Sequence, residues 1–151
     1  MDDLPLAAYG RSIAQLARVV ENSLGGLTLS AYRILSLVAE GNERSSQIAG
    51  RLALARPTIS NAVDQLVERG LLRRGANAED RRAVVLTVTD DGRAAIGEAD
   101  RAIAQRLRPI FERLGDPPAV LRSMEQVMAA AGEVRAERRG TAAAGRRELH
   151  T

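Results

Sequence analysis

Along most of the chain the apolar positions recur every three or four residues, the interval of a helix with one buried side. From Leu6 to Leu24 the series Leu6, Tyr9, Ile13, Leu16, Val20 and Leu24 predicts an amphipathic helix closed by Gly25 and Gly26. A second helix follows, with Ser30 (or Thr28) as N-cap, Tyr32, Leu35, Val38 and Ala39 apolar, and Gly41-Asn42 at its end. A third, short helix is expected from Ser46 to Leu54, with Ile48, Ala49 and Leu52 inward and Gln47 and Arg51 outward. A brief turn leads to the stretch from Ala55 to Gly70. Pro57 suits the first helical position, where its missing N–H costs nothing, and Gly70 can end the helix in a left-handed conformation. At about 100° per residue, Ile59, Ala62, Val63, Leu66 and Val67 share one side, while Thr58, Asn61, Asp64, Gln65 and Glu68 share the other.

The pattern then changes. Leu71 to Arg74 and Ala83 to Val88 are β-prone runs separated by the polar loop Gly75 to Arg82, so a hairpin is expected directly after the two-faced helix. Thr89 is placed to cap a long helix whose first turn carries Asp90 and Asp91, and whose stripe is Ile96, Ala99, Ile103, Leu107, Ile110 and Leu114. Pro109 interrupts that stripe and predicts a kink or two helical pieces. Asp116-Pro117-Pro118 opens a last helix with Val120, Met124, Val127, Ala131 and Val134 at near-heptad spacing. From Arg138 to Thr151 no stripe is left, and the Arg, Ala and Gly composition suggests a mobile tail.

These elements imply a mainly α fold with a small β-hairpin: a winged helix-turn-helix over residues 29–93, dimerisation helices at residues 1–28 and 94–137, and a tail at residues 138–151. The terminal helices carry more apolar stripe than a compact winged helix needs to cover itself, which points to a homodimer; the alternative is a monomer whose helices cover one another.

Composition narrows the chemistry. At 151 residues, 45% hydrophobic and 27% charged, the chain is long enough to bury the core of one soluble domain. The net charge of +3 suits a polyanionic partner or an ordinary surface equally well, and all its cationic side chains other than the single His are Arg, first a sign of compositional bias. With no Cys, thiolate zinc sites, disulfides and thiol redox sensing are excluded. His150, next to the last residue, has no histidine partner for a metal or acid–base site, so neither an enzyme, a metal nor a cofactor is expected. No apolar run approaches a membrane span, and Met1-Asp2-Asp3 lacks a basic leader, so the expectation is a cytoplasmic protein with no membrane partner.

Two short helices joined by a tight turn, the second with a polar outer face and followed by a hairpin, are suited to placing that second helix in the major groove of DNA with the hairpin beside it. The competing reading is a winged-helix protein interaction module without DNA binding, against which the Arg-bearing loop and the uncharged amides of the helix argue.

The segments Ala55-Arg-Pro-Thr-Ile-Ser-Asn-Ala-Val-Asp-Gln-Leu66, Arg69-Gly-Leu-Leu-Arg-Arg74, Glu79-Asp-Arg-Arg82 and Leu86-Thr-Val-Thr-Asp-Asp-Gly92, in this order, resemble the MarR family of bacterial transcriptional regulators. The resemblance covers about Leu29 to Ile96, with the flanking helices matching by pattern. It implies a homodimer on a pseudo-palindromic operator, usually a repressor of a nearby operon, often released by a small aromatic or lipophilic effector. It also implies that Asp80 pairs with a wing arginine to shape the tip, and that Arg82 or Arg81 enters the minor groove. An effector pocket would lie where the first and second helices meet the long helix, with Tyr9, Tyr32 and Arg33 as candidate lining.

On the two-faced helix the expected DNA-facing residues are Arg56, Pro57, Thr58, Ser60, Asn61 and Gln65, with Arg73 and Arg74 placed for phosphate contacts. Arg51 is a further phosphate candidate. Amides such as Asn61 and Gln65 can bond the N6 and N7 edge of adenine, and Thr58 can meet a thymine methyl, so A·T pairs are expected beneath the helix; either amide could equally bond phosphate. Family members often carry a basic residue where Asn61 stands and a Ser or Thr cap where Arg56 stands. Asp64 and Glu68 would repel phosphate unless paired with Arg.

Overall fold

Eight large apolar side chains, Ile34, Leu35, Ile48, Ile59, Val63, Leu66, Leu72 and Leu86, are all but removed from solvent and come from three helices and a hairpin. The computed structural model describes residues 3–41, 45–52, 54–76 and 84–148. Their elements are α1 (Asp3–Glu21), α2 (Leu29–Ala39), α3 (Ser45–Leu52), α4 (Arg56–Glu68), β1 (Leu72–Ala76), β2 (Val84–Val88), α5 (Asp90–Phe111) and α6 (Pro117–Glu148). They fall into two compact units, residues 1–108 and 109–151.

In the first unit α2 is the central helix. It buries Ala31, Ile34, Leu35, Leu37 and Val38, and the Thr28 hydroxyl accepts from the Ala31 N–H at 3.1 Å, which makes Thr28 rather than Ser30 its cap. Helix α3 packs on α2 through Ile48, Ala49 and Leu52, as their spacing predicts. Helix α4 sets Ile59, Val63 and Leu66 into the same core and ends at Gly70, whose φ of 72° is the left-handed conformation expected of it.

Strands β1 and β2 are antiparallel, with Leu72 opposite Val88 and Arg74 opposite Leu86. Thr89 then ties three pieces together. Its hydroxyl donates to the Gly70 carbonyl at 2.6 Å and accepts from the Gly92 N–H at 3.0 Å, so it caps α5 while holding that helix to the turn after α4. Gly92 is buried, and a Cβ there would lie 2.2 Å from the Leu71 carbonyl oxygen. Only glycine lets α5 begin so close to the chain entering β1.

Several boundaries differ from the sequence reading. The first helix ends at Glu21, and Leu24 lies beyond it, buried with the core instead of extending the stripe, because the turn at residues 22–26 folds it inward. Helix α3 stops at Leu52, although the Leu54 N–H still reaches the Ala49 carbonyl at 3.2 Å. Pro57 is the second helical residue after Arg56, still within the first turn where no N–H partner is lost. Pro109 does not split α5. It stands two residues before the helix ends at Phe111, and the N–H it lacks is the one that would bond the Gln105 carbonyl.

In the second unit, Asp116 accepts from the Ala119 N–H at 3.0 Å and caps α6 as expected. Residues 138–151 carry the composition of a mobile tail, and α6 continues through them to Glu148. Ala, Arg and Glu are strong helix formers, and extending an existing helix avoids the cost of a new nucleus, so no apolar stripe is needed there. Residues 149–151, His150 among them, lie outside the described residues.

Apolar side chains stay in solvent on both terminal helices. Every side chain from Pro5 to Gln15 of α1 is exposed, Leu6, Tyr9 and Ile13 included. On α6, Met124, Val127 and Val134 are exposed as well, and Leu121 and Met128, which the heptad pattern did not include, widen the stripe on its flank.

Candidate nucleic-acid interface

Helix α4 presents its polar residues because its apolar side is committed to the core. Arg56, Pro57, Thr58, Ser60, Asn61, Asp64, Gln65 and Glu68 are all exposed, while Ile59, Val63 and Leu66 are buried. Thr58, Asn61 and Gln65 step by three and four and therefore line up along one edge. At the N-terminus, Ala55 is extended and offers no side-chain cap, and no acid occupies the first turn. The first N–H groups and Arg56 thus face solvent with positive polarity, a combination compatible with a phosphate.

The hairpin follows without a linker. Strand alternation puts Leu72 and Arg74 on one face together with their partners Val88 and Leu86, and Arg73 on the other. Leu72, Leu86 and Val88 are buried, so Arg74 emerges on the core-facing side at the edge of the apolar patch. Its guanidinium pairs with the Asp64 carboxylate of α4. Arg74, expected at phosphate, is thus paired with α4 in this structure, and Asp64 is matched with an arginine. The period of two running from Leu72 was the signal that could have placed Arg74 inward.

The other arginines divide. Arg73 is exposed. Arg51 pairs with Glu40 at 3.2 Å, and Arg69 donates to the Gly26 carbonyl at 3.1 Å. Asp80, Arg81 and Arg82, the expected wing tip, lie outside the described residues.

Of the expected pocket residues, Tyr9 stands on α1, and Tyr32 and Arg33 stand on α2. Tyr9 and Arg33 are exposed, while the Tyr32 hydroxyl donates to Asp100 on α5 at 2.6 Å. Burial, followed by the bond to Asp100 and its negative charge, pushes the Tyr32 hydroxyl up to about 12. A cavity of about 290 Å³ lies between the turn after α1, the end of α4 and the side of α5, with Leu24, Leu27, Leu71, Ala99 and Arg69 among its lining. Most of that lining is small residues and turn backbone, which have no periodicity to announce a pocket. Among the described residues no three His, Cys, Asp or Glu side chains are grouped to hold a metal, and no helix is long and apolar enough to cross a membrane.

Comparison with known proteins agrees with this arrangement. The MarR family model matches residues 25–83, which include α2, α3, α4 and the first strand. A candidate transcriptional regulatory protein for the hcr operon of Thauera aromatica is 30% identical over 103 residues, 68% of this chain, and the match spans 61% of that protein's length. The crystal structure of CouR from Rhodococcus jostii RHA1 bound to p-coumaroyl-CoA is similar with a TM-score of 0.73 and 27% identity, covering 87% of this chain and 92% of CouR. The transcriptional repressor CouR bound to a 23-mer DNA duplex is 30% identical with a TM-score of 0.69, covering 81% of this chain and 89% of that one. With the exposed polar edge of α4 set on a buried apolar side, and a hairpin directly behind it, the chain belongs to the MarR family of winged helix-turn-helix, DNA-binding transcriptional regulators.

Proposed function

We propose that the protein works as a homodimer on a pseudo-palindromic operator, represses transcription nearby, and is released by a small effector. The observation that carries the reading is the α4 edge of Thr58, Asn61 and Gln65, exposed beside the hairpin. In this reading α4 enters the major groove, Arg56 and Arg73 bond phosphate, and the wing tip with Arg81 or Arg82 reaches the minor groove. The stripe of Leu6, Tyr9 and Ile13 on α1 and that of Met124, Val127 and Val134 on α6 are each covered by a second copy, since apolar rows of this length on a soluble protein are usually interfaces. A gel-shift with DNA from immediately upstream of its own gene tests this: retardation that survives excess unrelated duplex is expected, and equal competition by unrelated DNA would contradict it.

CouR, similar over most of both chains, was solved with p-coumaroyl-CoA, so aromatic acyl-CoA thioesters are the effector class to try first. The cavity beside Leu24, Leu71 and Ala99 offers apolar lining for part of such a molecule. A raised melting temperature with p-coumaroyl-CoA, together with release of the operator, is the expected result; release without stabilisation would argue against direct binding.

A further inference from the structure

The polar edge of α4 contains a residue that is wrong for DNA. Asp64 lies between Asn61 and Glu68, one position before Gln65, on the face proposed for the major groove, where a carboxylate repels phosphate. Its partner Arg74 is equally out of place, a cation on the core-facing side of the hairpin directly opposite the buried Leu86. The two solve one another's problem. Both side chains are about half exposed, 56% for Asp64 and 45% for Arg74, so the pair adds little to folding. Its effect is geometric: among the described residues it is the one side-chain ion pair or hydrogen bond that joins α4 to the hairpin, and it does so at the exposed rim beside the buried Leu86.

We propose that Asp64 and Arg74 form a brace that sets the angle of the wing against the recognition helix, so that groove and flank contacts are made together. The inference rests on the DNA-binding reading above. Asp64 is a positioning residue: it touches no base, and it raises specificity by holding the wing and by lowering attraction to unrelated duplex. Arg74 is withdrawn from phosphate and spent on the wing.

The variants Asp64→Asn, Asp64→Ala, Arg74→Ala and the exchange Asp64→Arg with Arg74→Asp separate this from a role in folding. Each is measured on the DNA upstream of its own gene and on an unrelated duplex, at several salt concentrations, with hydroxyl-radical protection of the flanks and thermal unfolding alongside. Asp64→Ala is expected to bind unrelated DNA about threefold more tightly while losing about tenfold in preference for the operator. Flank protection should weaken in Asp64→Ala and Arg74→Ala alike, Asp64→Asn should fall between them and wild type, and the exchange should recover flank protection. Melting temperatures should move little. A wild-type preference that Asp64→Ala leaves intact, with the flanks still protected, overturns the brace alone, as does an exchange that folds but recovers nothing. If Arg74→Ala lowers the salt dependence while Asp64→Ala keeps the flanks, Arg74 is an ordinary phosphate contact and the brace is wrong. A wild-type protein with no operator preference overturns the DNA-binding reading, and the brace with it.

Discussion

At the scale of single residues, Gly92 in the first turn of α5 and Tyr32 on α2 bear more than their size suggests. A methyl group at Gly92 would meet the Leu71 carbonyl oxygen at 2.2 Å and Val88 Cγ1 at 2.7 Å, and the first of these is backbone that cannot rotate aside. Gly92→Ala is therefore expected to destabilise the protein by about 3 kcal/mol in urea unfolding, the upper part of the range for overpacking; a change below about 0.5 kcal/mol, the ordinary surface effect, would mean that α5 can back away. Tyr32 gives a pH-dependent counterpart. Its hydroxyl is held protonated in the folded protein, so the stability it contributes is fully present below its ordinary value of 10.0 and is lost as pH rises through about 12. Tyr32→Phe should thus melt lower than wild type at neutral pH, by the loss of one hydrogen bond, about 1 kcal/mol. The gap should narrow between pH 10 and pH 12; a gap that stays constant would show that Asp100 does not hold the proton in place.

At the scale of elements, α4 is where sequence and structure agree best, for a physical reason. A helix anchored by Ile59, Val63 and Leu66 has its opposite face decided by geometry, so the exposure of Thr58, Asn61 and Gln65 follows from spacing alone. Asn61→Ala and Gln65→Ala should each cost about 1 to 3 kcal/mol in operator affinity if the amide reads a base. A uniform, small loss on all sequences would mean that it bonds only phosphate, and binding to operator variants at the positions under α4 distinguishes the two. The hairpin was also legible, since β-prone runs flank a polar loop, but the direction of Arg74 was not taken from it. That direction depends on the parity of Leu72 and on an ion pair with another element, neither of which composition reveals. The cavity beside Ala99 escaped for a related cause: it is a space between a turn, a helix end and small side chains, and such a space exists only after packing.

At the scale of the whole molecule, what remained visible in the sequence was the surplus of apolar surface. The stripe on α1 and the wider one on α6, with Leu121 and Met128 added, leave large hydrophobic side chains in water in each unit taken by itself. The extension of α6 to Glu148 carries no stripe to announce it, and its Ala, Arg and Glu residues favour the helix while Gly140 and Gly145 oppose it. In the proposed homodimer, Val127→Glu should give a monomer in sedimentation experiments and weaken operator binding with it, because two tethered half-sites bind far better than one; an unchanged sedimentation coefficient would remove α6 from the proposed interface. The central claim, two copies of α4 reading one symmetric site, is tested most directly by selecting bound sequences from a random duplex library with the full-length protein. The account predicts an enriched inverted repeat whose half-site centres lie about one helical turn apart, roughly 10 base pairs, with A·T pairs beneath Asn61 and Gln65. Recovery of unpaired half-sites, or of no enriched sequence at all, would contradict it.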